Sequence, residues 1–155
     1  MPDRSAPGLR IIGVAEYIDF PDWGVRGLSA RVDTGAKTSA LHVENVEVLP
    51  GSRVRFEVRL RRSDAQARVR VETKVSRRAS VRASTGAIES RLFVKAHVRL
   101  GGKEQQIEVG LVDRRHMQYR MLLGRSALEG RFLVDVTKRY ALGGAGRAIV
   151  PATKR

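Results

Sequence analysis

The run "ARVDTGAKTSALH", Ala30 to His42, decides how the rest of the chain is read. A strand-like alternation ends at Val32, Asp33-Thr34-Gly35 follows, and an apolar return begins at Ala40-Leu41. Asp and Gly are ordinary turn residues. The string therefore has two meanings: a tight turn between strands, or an aspartate placed for chemistry. Only its surroundings can separate them.

The chain has 155 residues, which suits one domain with a single core. Its 42% apolar content fits a globular fold better than disorder. Cysteine is absent, so disulfides and thiolate metal sites are excluded. No apolar stretch is long enough to span a bilayer. The start, "MPDRSAPGLRIIGVAEY", has no apolar core of a signal peptide, so a cytoplasmic location is expected. Thirty Lys and Arg oppose sixteen Asp and Glu, a formal charge of +14. Such a surface attracts polyanions: nucleic acid, ribosomal surfaces or acidic peptides.

Along the chain the dominant period is two. In "SRVRFEVRLRR" Val54, Phe56, Val58 and Leu60 alternate with Arg53, Arg55, Glu57, Arg59 and Arg61, which predicts a half-buried strand with a basic outer face. "QARVRVE" repeats the pattern and adds Arg68 and Arg70, with Ser63 and Asp64 expected in the turn between. "IESRLFVKAHVRL" places Ile88, Leu92, Val94, Ala96, Val98 and Leu100 on one side. Gly101-Gly102 then turns the chain into "KEQQIEVGLVD" as a hairpin. The one helix signal is "RSALEG" after Gly124, with Ser126 as its expected N-cap, and "RFLVDVTKRYAL" reads as strand again. Short strands, polar turns and one short helix predict an all-β fold, a small barrel or sandwich. Residues 1–8 and 144–155 are expected to be flexible tails around a domain at 9–143.

Two elements belong together. One is the Asp-Thr-Gly-Ala loop, Asp33 to Ala36. The other is "MLLGRSAL", Met121 to Leu128, in which two leucines precede Gly124 and a helical turn follows. The pair resembles the retropepsin-type aspartic peptidases, where the second segment passes beside the catalytic loop. With "ASTGAIESR", Ala83 to Arg91, and "FLVD" up to Asp135, the pattern is closer to a bacterial relative named for an ATP-dependent zinc protease, often associated with ATP-grasp peptide or glutamate ligases. The resemblance runs from about Gly13 to Leu142 and implies a small closed retropepsin-like barrel, with the short helix after Leu-Leu-Gly-Arg. It implies Asp33, Thr34 and Gly35 as the catalytic loop and Leu122, Leu123, Gly124 and Arg125 as its structural support. Ala36, Lys37, Ser84, Thr85, Gly86, Glu89 and Arg91 are its substrate-binding candidates. Viral members carry a second acidic residue where this chain has Lys37, so Arg125 is expected to brace the loop differently.

The chemistry of an aspartic peptidase needs two carboxylates about 3 Å apart that share a proton. This chain has one Asp-Thr-Gly. "ASTGA", Ala83 to Ala87, echoes it with Ser for Asp, but two full barrels do not fit in 155 residues, and the echo reads as a turn or flap near the cleft. The second aspartate is expected from a homodimer. A Lys37 close to Asp33 would favour the ionised carboxylate and oppose the shared proton. Among the three histidines, His42 shares a strand side with Glu44, His97 is expected to face solvent, and His116 lies in a loop before Gly124. No His-Glu-x-x-His is present, and His42 with Glu44 gives only a two-ligand suggestion for the zinc of the family's label, so no metal is assigned and no cofactor is expected. "LGGAGRA" has no P-loop lysine, so any ATP would belong to a partner ligase.

The sequence thus supports an aspartic-type peptidase acting on acidic or glutamate-extended peptides. The alternatives are a silent peptide-binding scaffold of the same fold and a basic RNA or ribosome-surface binder. Nucleic acid is disfavoured by the 5% aromatic content, which is not interleaved with the arginines as stacking platforms require.

Overall fold

A computed structural model describes residues 8–61, 64–82, 85–113, 115–116 and 118–143; at 65 only the backbone is described. The chain is all-β. In order, the strands are β1 (Arg10–Ile12), β2 (Ala15–Phe20), β3 (Val25–Val32), β4 (Ser39–Leu49), β5 (Arg53–Arg61) and β6 (Asp64–Lys74). They continue with β7 (Arg77–Arg82), β8 (Ile88–Leu100), β9 (Lys103–Val112), β10 (Met121–Leu123) and β11 (Phe132–Val134). Single 3-10 turns occur at Pro21–Trp23 and, as expected after Gly124, at Arg125–Ala127.

From β10 the hydrogen-bonded neighbours run β3, β2, β8, β9, β4 and back to β10, so the pairing closes on itself. The β5–β6 hairpin continues the sheet from β4, and β7 pairs with the first half of β8. β1 and β11 form a separate parallel pair.

Period-two patterning placed the core well. Val54, Phe56, Val58 and Leu60 are buried, as are Val94, Ala96, Val98 and Leu100, and they pack with Leu28, Leu41, Val109 and Leu123. The alternation works because successive strand side chains point to opposite faces. Gly101 and Gly102, at φ 59° and 79°, supply the left-handed turn between β8 and β9.

Some local expectations are corrected. Asp64 opens β6 instead of forming the turn, and Ser63 lies outside the described residues. Ile88 is 61% exposed, because β7 and the start of β8 run past the core as a hairpin. Ser126 is not an N-cap; Gly124 holds that position with no side-chain cap. β11 stops at Val134 because Asp135 makes a local turn, its Oδ1 accepting from Thr137 N at 2.9 Å and Thr137 Oγ1 at 2.6 Å. The expected tails, apart from Gly8, lie outside the described residues.

A buried carboxylate that sequence patterning did not single out closes the chain on itself. Glu16 is fully buried on β2. It accepts Gly13 N at 2.7 Å, Ala141 N at 2.9 Å and Leu142 N at 3.1 Å. Tyr140 stacks on Tyr17 at 4.2 Å and shares a 2.6 Å hydrogen bond with Ser29 Oγ, so residues 138–142 are fastened across β2 and β3.

Candidate active site

The backbone around Asp33 is built by β10. This strand lies between β3 and β4, parallel to the first and antiparallel to the second, with Leu122 opposite both Arg31 and Ala40. The Asp33 loop is the connection from β3 to β4, so both its ends are fixed by one central strand. Leu123 O accepts Asp33 N at 2.8 Å, which extends the ladder to the aspartate itself.

Within the loop Ala36 N donates to Asp33 O at 3.2 Å, a β-turn, and Gly35 N donates to Asp33 Oδ1 at 3.0 Å. A Cβ on Gly35 would stand 3.3 Å from that same oxygen, so a larger residue would press on the carboxylate. The other carboxylate oxygen accepts no hydrogen bond among the described residues. Asp33 is half-buried between buried Val32 and exposed Thr34.

The Gly124-Arg125-Ser126 segment passes against the far side of the loop. Arg125 N donates to Ala36 O at 2.8 Å, and Ser126 N and Oγ donate to Lys37 O at 3.0 and 2.8 Å. Gly124 N donates to Ser39 Oγ at 3.1 Å. A Cβ at Gly124 would lie 2.4 Å from Thr38 O, so only glycine lets the two backbones approach this closely. Arg125 NH1 donates to Thr34 O at 2.9 Å. The guanidinium thus braces the loop through a backbone carbonyl, in place of the acidic side chain missing at Lys37. Lys37 itself is exposed and contributes its carbonyl oxygen to the support. These contacts bring together Asp33, Thr34, Gly35, Ala36, Lys37, Leu123, Gly124 and Arg125.

The other predicted residues lie on the β7–β8 hairpin. Thr85 and Gly86 are exposed at its tip, where Gly86 has φ 91° and its carbonyl accepts from Arg82 NH1 at 3.0 Å. Ser84 lies outside the described residues. Glu89 is exposed and Arg91 is mostly covered, with Arg91 NH2 3.5 Å from Glu89 Oε1.

A polar cluster lies beyond the loop, on β4 to β6. His42 is fully buried, with Nε2 2.8 Å from Glu44 Oε2 and Nδ1 3.9 Å from Asp113 Oδ1. Arg68 NH2 and Arg59 NH1 reach Glu44 at 3.1 and 3.4 Å, and Arg68 NH1 reaches Glu57 at 2.6 Å. The hydrogen bond from His42, with Arg68 and Arg59 nearby, holds the Glu44 carboxyl below its ordinary value despite burial. Glu57 is lowered by hydrogen bonds from Arg68 and Asn45. Both His42 ring nitrogens face carboxylates and Glu44 is held by cations, an arrangement that does not fit a metal site. Among the described residues no group of three or more His, Asp and Glu is set to hold a metal ion. His97 does not face solvent alone: its Nε2 is 2.7 Å from Glu104 Oε1 and its Nδ1 3.6 Å from Asp22. His116 is exposed.

The basic face of β5 and β6 is laced with acids. Arg53 contacts Glu72 at 3.3 Å, and Arg55 contacts Glu47 at 3.0 Å and Glu72 at 3.5 Å. The partners were hidden from a strand-by-strand reading because Glu44 and Glu47 come from β4. No helix among the described residues is long and apolar enough to cross a membrane.

Residues 11–143 match the family model described as "RimB-like: Retropepsin-like aspartic endopeptidase RimB". Two proteins named "Probable alpha-L-glutamate ligase", from Shewanella halifaxensis and Shewanella pealeana, are each 38% identical to the chain over 86% and 88% of its length. A third of that name, from Desulfotalea psychrophila, is 36% identical over 86%. The chain spans only about 30% of the length of each of these relatives. The crystal structure of a Legionella pneumophila protein of unknown function superposes with a TM-score of 0.70 at 26% identity, covering 86% of this chain and 98% of that one. With the braced Asp-Thr-Gly loop and a match over nearly the whole described chain, the protein belongs to the RimB-like family of retropepsin-like aspartic endopeptidases.

Proposed function

We propose that the chain is an aspartic-type peptidase whose dyad is formed by Asp33 from each of two subunits. The observation that carries this reading is the Asp33 loop. Its backbone is pinned on both sides, its Oδ1 is oriented by Gly35 N, and its second oxygen accepts no hydrogen bond among the described residues.

Two such carboxylates at a two-fold axis cannot both ionise, so they share one proton. The ionised member takes a proton from a bound water, which attacks the scissile carbonyl carbon. The protonated member donates to the carbonyl oxygen as the tetrahedral intermediate forms. Collapse breaks the C–N bond and returns a proton to the leaving amine. Binding and orientation supply much of the rate, which is why a loop held from both sides matters.

Support for the substrate class comes from relatives named as glutamate ligases, in which a segment similar to this chain occupies about 30% of the length. A ligase of that name makes glutamate-containing bonds, so a peptidase domain beside it would meet acidic, glutamate-extended peptides. In this reading any ATP is used by a ligase partner, and neither zinc nor another cofactor takes part. A strictly monomeric chain would have one Asp-Thr-Gly and would be a peptide-binding scaffold instead.

Asp33→Asn is nearly isosteric and should abolish hydrolysis of glutamate-rich peptides while leaving circular dichroism and thermal melting close to wild type. Undiminished cleavage by a folded Asp33→Asn protein would move the chemistry elsewhere. Inhibition by chelators, with no response to pepstatin-like transition-state mimics, would overturn the metal-free mechanism.

A further inference from the structure

We propose that Arg91 is a specificity-determining residue that reads an acidic side chain of the substrate on the sheet face where Asp33 opens; this rests on the peptidase reading above. The placement follows from strand register. Directly opposed residues in adjacent strands share a face. Arg31 opposes Leu122, Leu122 opposes Ala40, Ala40 opposes Gly110, and Gly110 opposes Phe93. Arg31 stands two residues before Asp33, and buried Val32 between them takes the core side. Arg91 stands two residues before Phe93 and so shares its face. One continuous row therefore leads from beside Asp33 to Arg91.

The middle of that row holds the small, buried residues Ala40 and Gly110, and the Arg91 stem lies over Gly110. A Cβ on Gly110 would come within 2.7 Å of Arg91 Cδ and 3.0 Å of Phe93 Cε2. The absence of a side chain at Gly110 is what lets the Arg91 stem lie flat on the sheet. The Arg91 side chain is 17% exposed, sheltered enough to strengthen a charge-assisted hydrogen bond.

Five other arginines of these strands and of the loop support have partners of their own. Arg55, Arg59 and Arg68 are ion-paired within the β4–β6 sheet. Arg125 serves the catalytic loop through Thr34 O. Arg31 lies over the Tyr119 ring at 5.9 Å. Arg91 NH2 lies 3.5 Å from Oε1 of Glu89, whose side chain is 53% exposed. A glutamate from the chain's own hairpin thus already occupies the position that a substrate carboxylate would take.

The test uses full-length Asp33→Asn protein, in which no turnover complicates binding, and fluorescently labelled octapeptides rich in Glu, Gln or Lys. The parent should bind the Glu peptide best. Arg91→Gln should weaken the Glu peptide about tenfold or more and leave the Gln peptide unchanged. Arg91→Lys should fall between, because charge is kept and the planar fork is lost. Glu89→Gln should tighten the Glu peptide. Arg70→Gln, an exposed charge removed from another part of the sheet, is the control and should cost about twofold at most. Equal binding of Glu and Gln peptides by the parent, no binding of either, or equal losses from Arg91→Gln and Arg70→Gln would overturn the assignment. Hydrolysis by the wild-type protein is scored separately. Discrimination through Arg91 without hydrolysis would sink the peptidase reading and keep this one; hydrolysis indifferent to Glu and to Arg91 would do the reverse.

Discussion

At Gly124 a single methyl group would have to displace the backbone that carries the Asp33 loop, since the Thr38 carbonyl lies 2.4 Å from where its Cβ would go. Gly124→Ala should therefore lower peptide hydrolysis by about a hundredfold or more, through misplacement of Asp33. Stability should fall by roughly 1–3 kcal/mol, in the range of strain from overpacking. Kinetics and thermal melting together check this, because a stability loss with unimpaired turnover would contradict the positioning role. Glu16 is the opposite case, a residue with no motif around it. Its carboxylate accepts three backbone N–H groups from Gly13, Ala141 and Leu142. Glu16→Gln replaces one acceptor oxygen with an NH2 that faces a donor, which should cost roughly 2–4 kcal/mol in denaturant unfolding. The two residues differ in legibility for a physical reason. Gly124 belongs to a local string, whereas two of the three partners of Glu16, Ala141 and Leu142, are more than a hundred positions away and leave no mark near residue 16.

Strands were readable because each carries its own period, but what their outer faces do depends on neighbours. The arginines of β5 and β6 read as an open basic field; β4 supplies Glu44 and Glu47, and the hairpin itself supplies Glu57 and Glu72. Arg59 directly opposes Arg68, and Glu44 bridges the two like charges. Arg68→Gln should accordingly act on stability more than on ligand binding, costing roughly 1–3 kcal/mol by removing the cation shared by Glu44 and Glu57, which leaves Glu44 with His42 and Arg59 and Glu57 with Asn45. The pH dependence has a definite sign. Glu44 and Glu57 are held below their ordinary value of 4.5, so folding favours their ionised forms. That stabilisation is complete above 4.5 and drains away as pH falls through the lowered values. Asp113, lowered mainly by its hydrogen bond from Arg115, acts in the same direction. Melting temperature should therefore drop steeply below pH 4.5, and the Glu44→Gln, Glu57→Gln double variant should flatten that acid limb. An acid limb of unchanged slope in the double variant would place the responsible carboxylates elsewhere.

For the whole molecule, the ring of paired strands and the crossing of β10 behind the Asp33 loop were legible because the strand period and two short motifs survive in one sequence. The row from Arg31 to Arg91 was not, since it depends on five strands meeting in register. The second carboxylate is likewise beyond any single strand or motif. One chain supplies one Asp33, and a two-fold axis is the simplest operation that brings a second beside it. Mixing distinguishes this from catalysis by one chain. If subunits exchange freely, a threefold excess of Asp33→Asn protein should place most wild-type chains in mixed dimers that hold a single aspartate. Activity per wild-type chain should then fall to about a quarter, because only a partner with an intact aspartate completes the dyad. Sedimentation of the same mixtures must show association at the concentrations assayed. Activity per wild-type chain that stays constant while the proteins associate would show that the second acid comes from within the chain, and the two-subunit dyad would have to be abandoned.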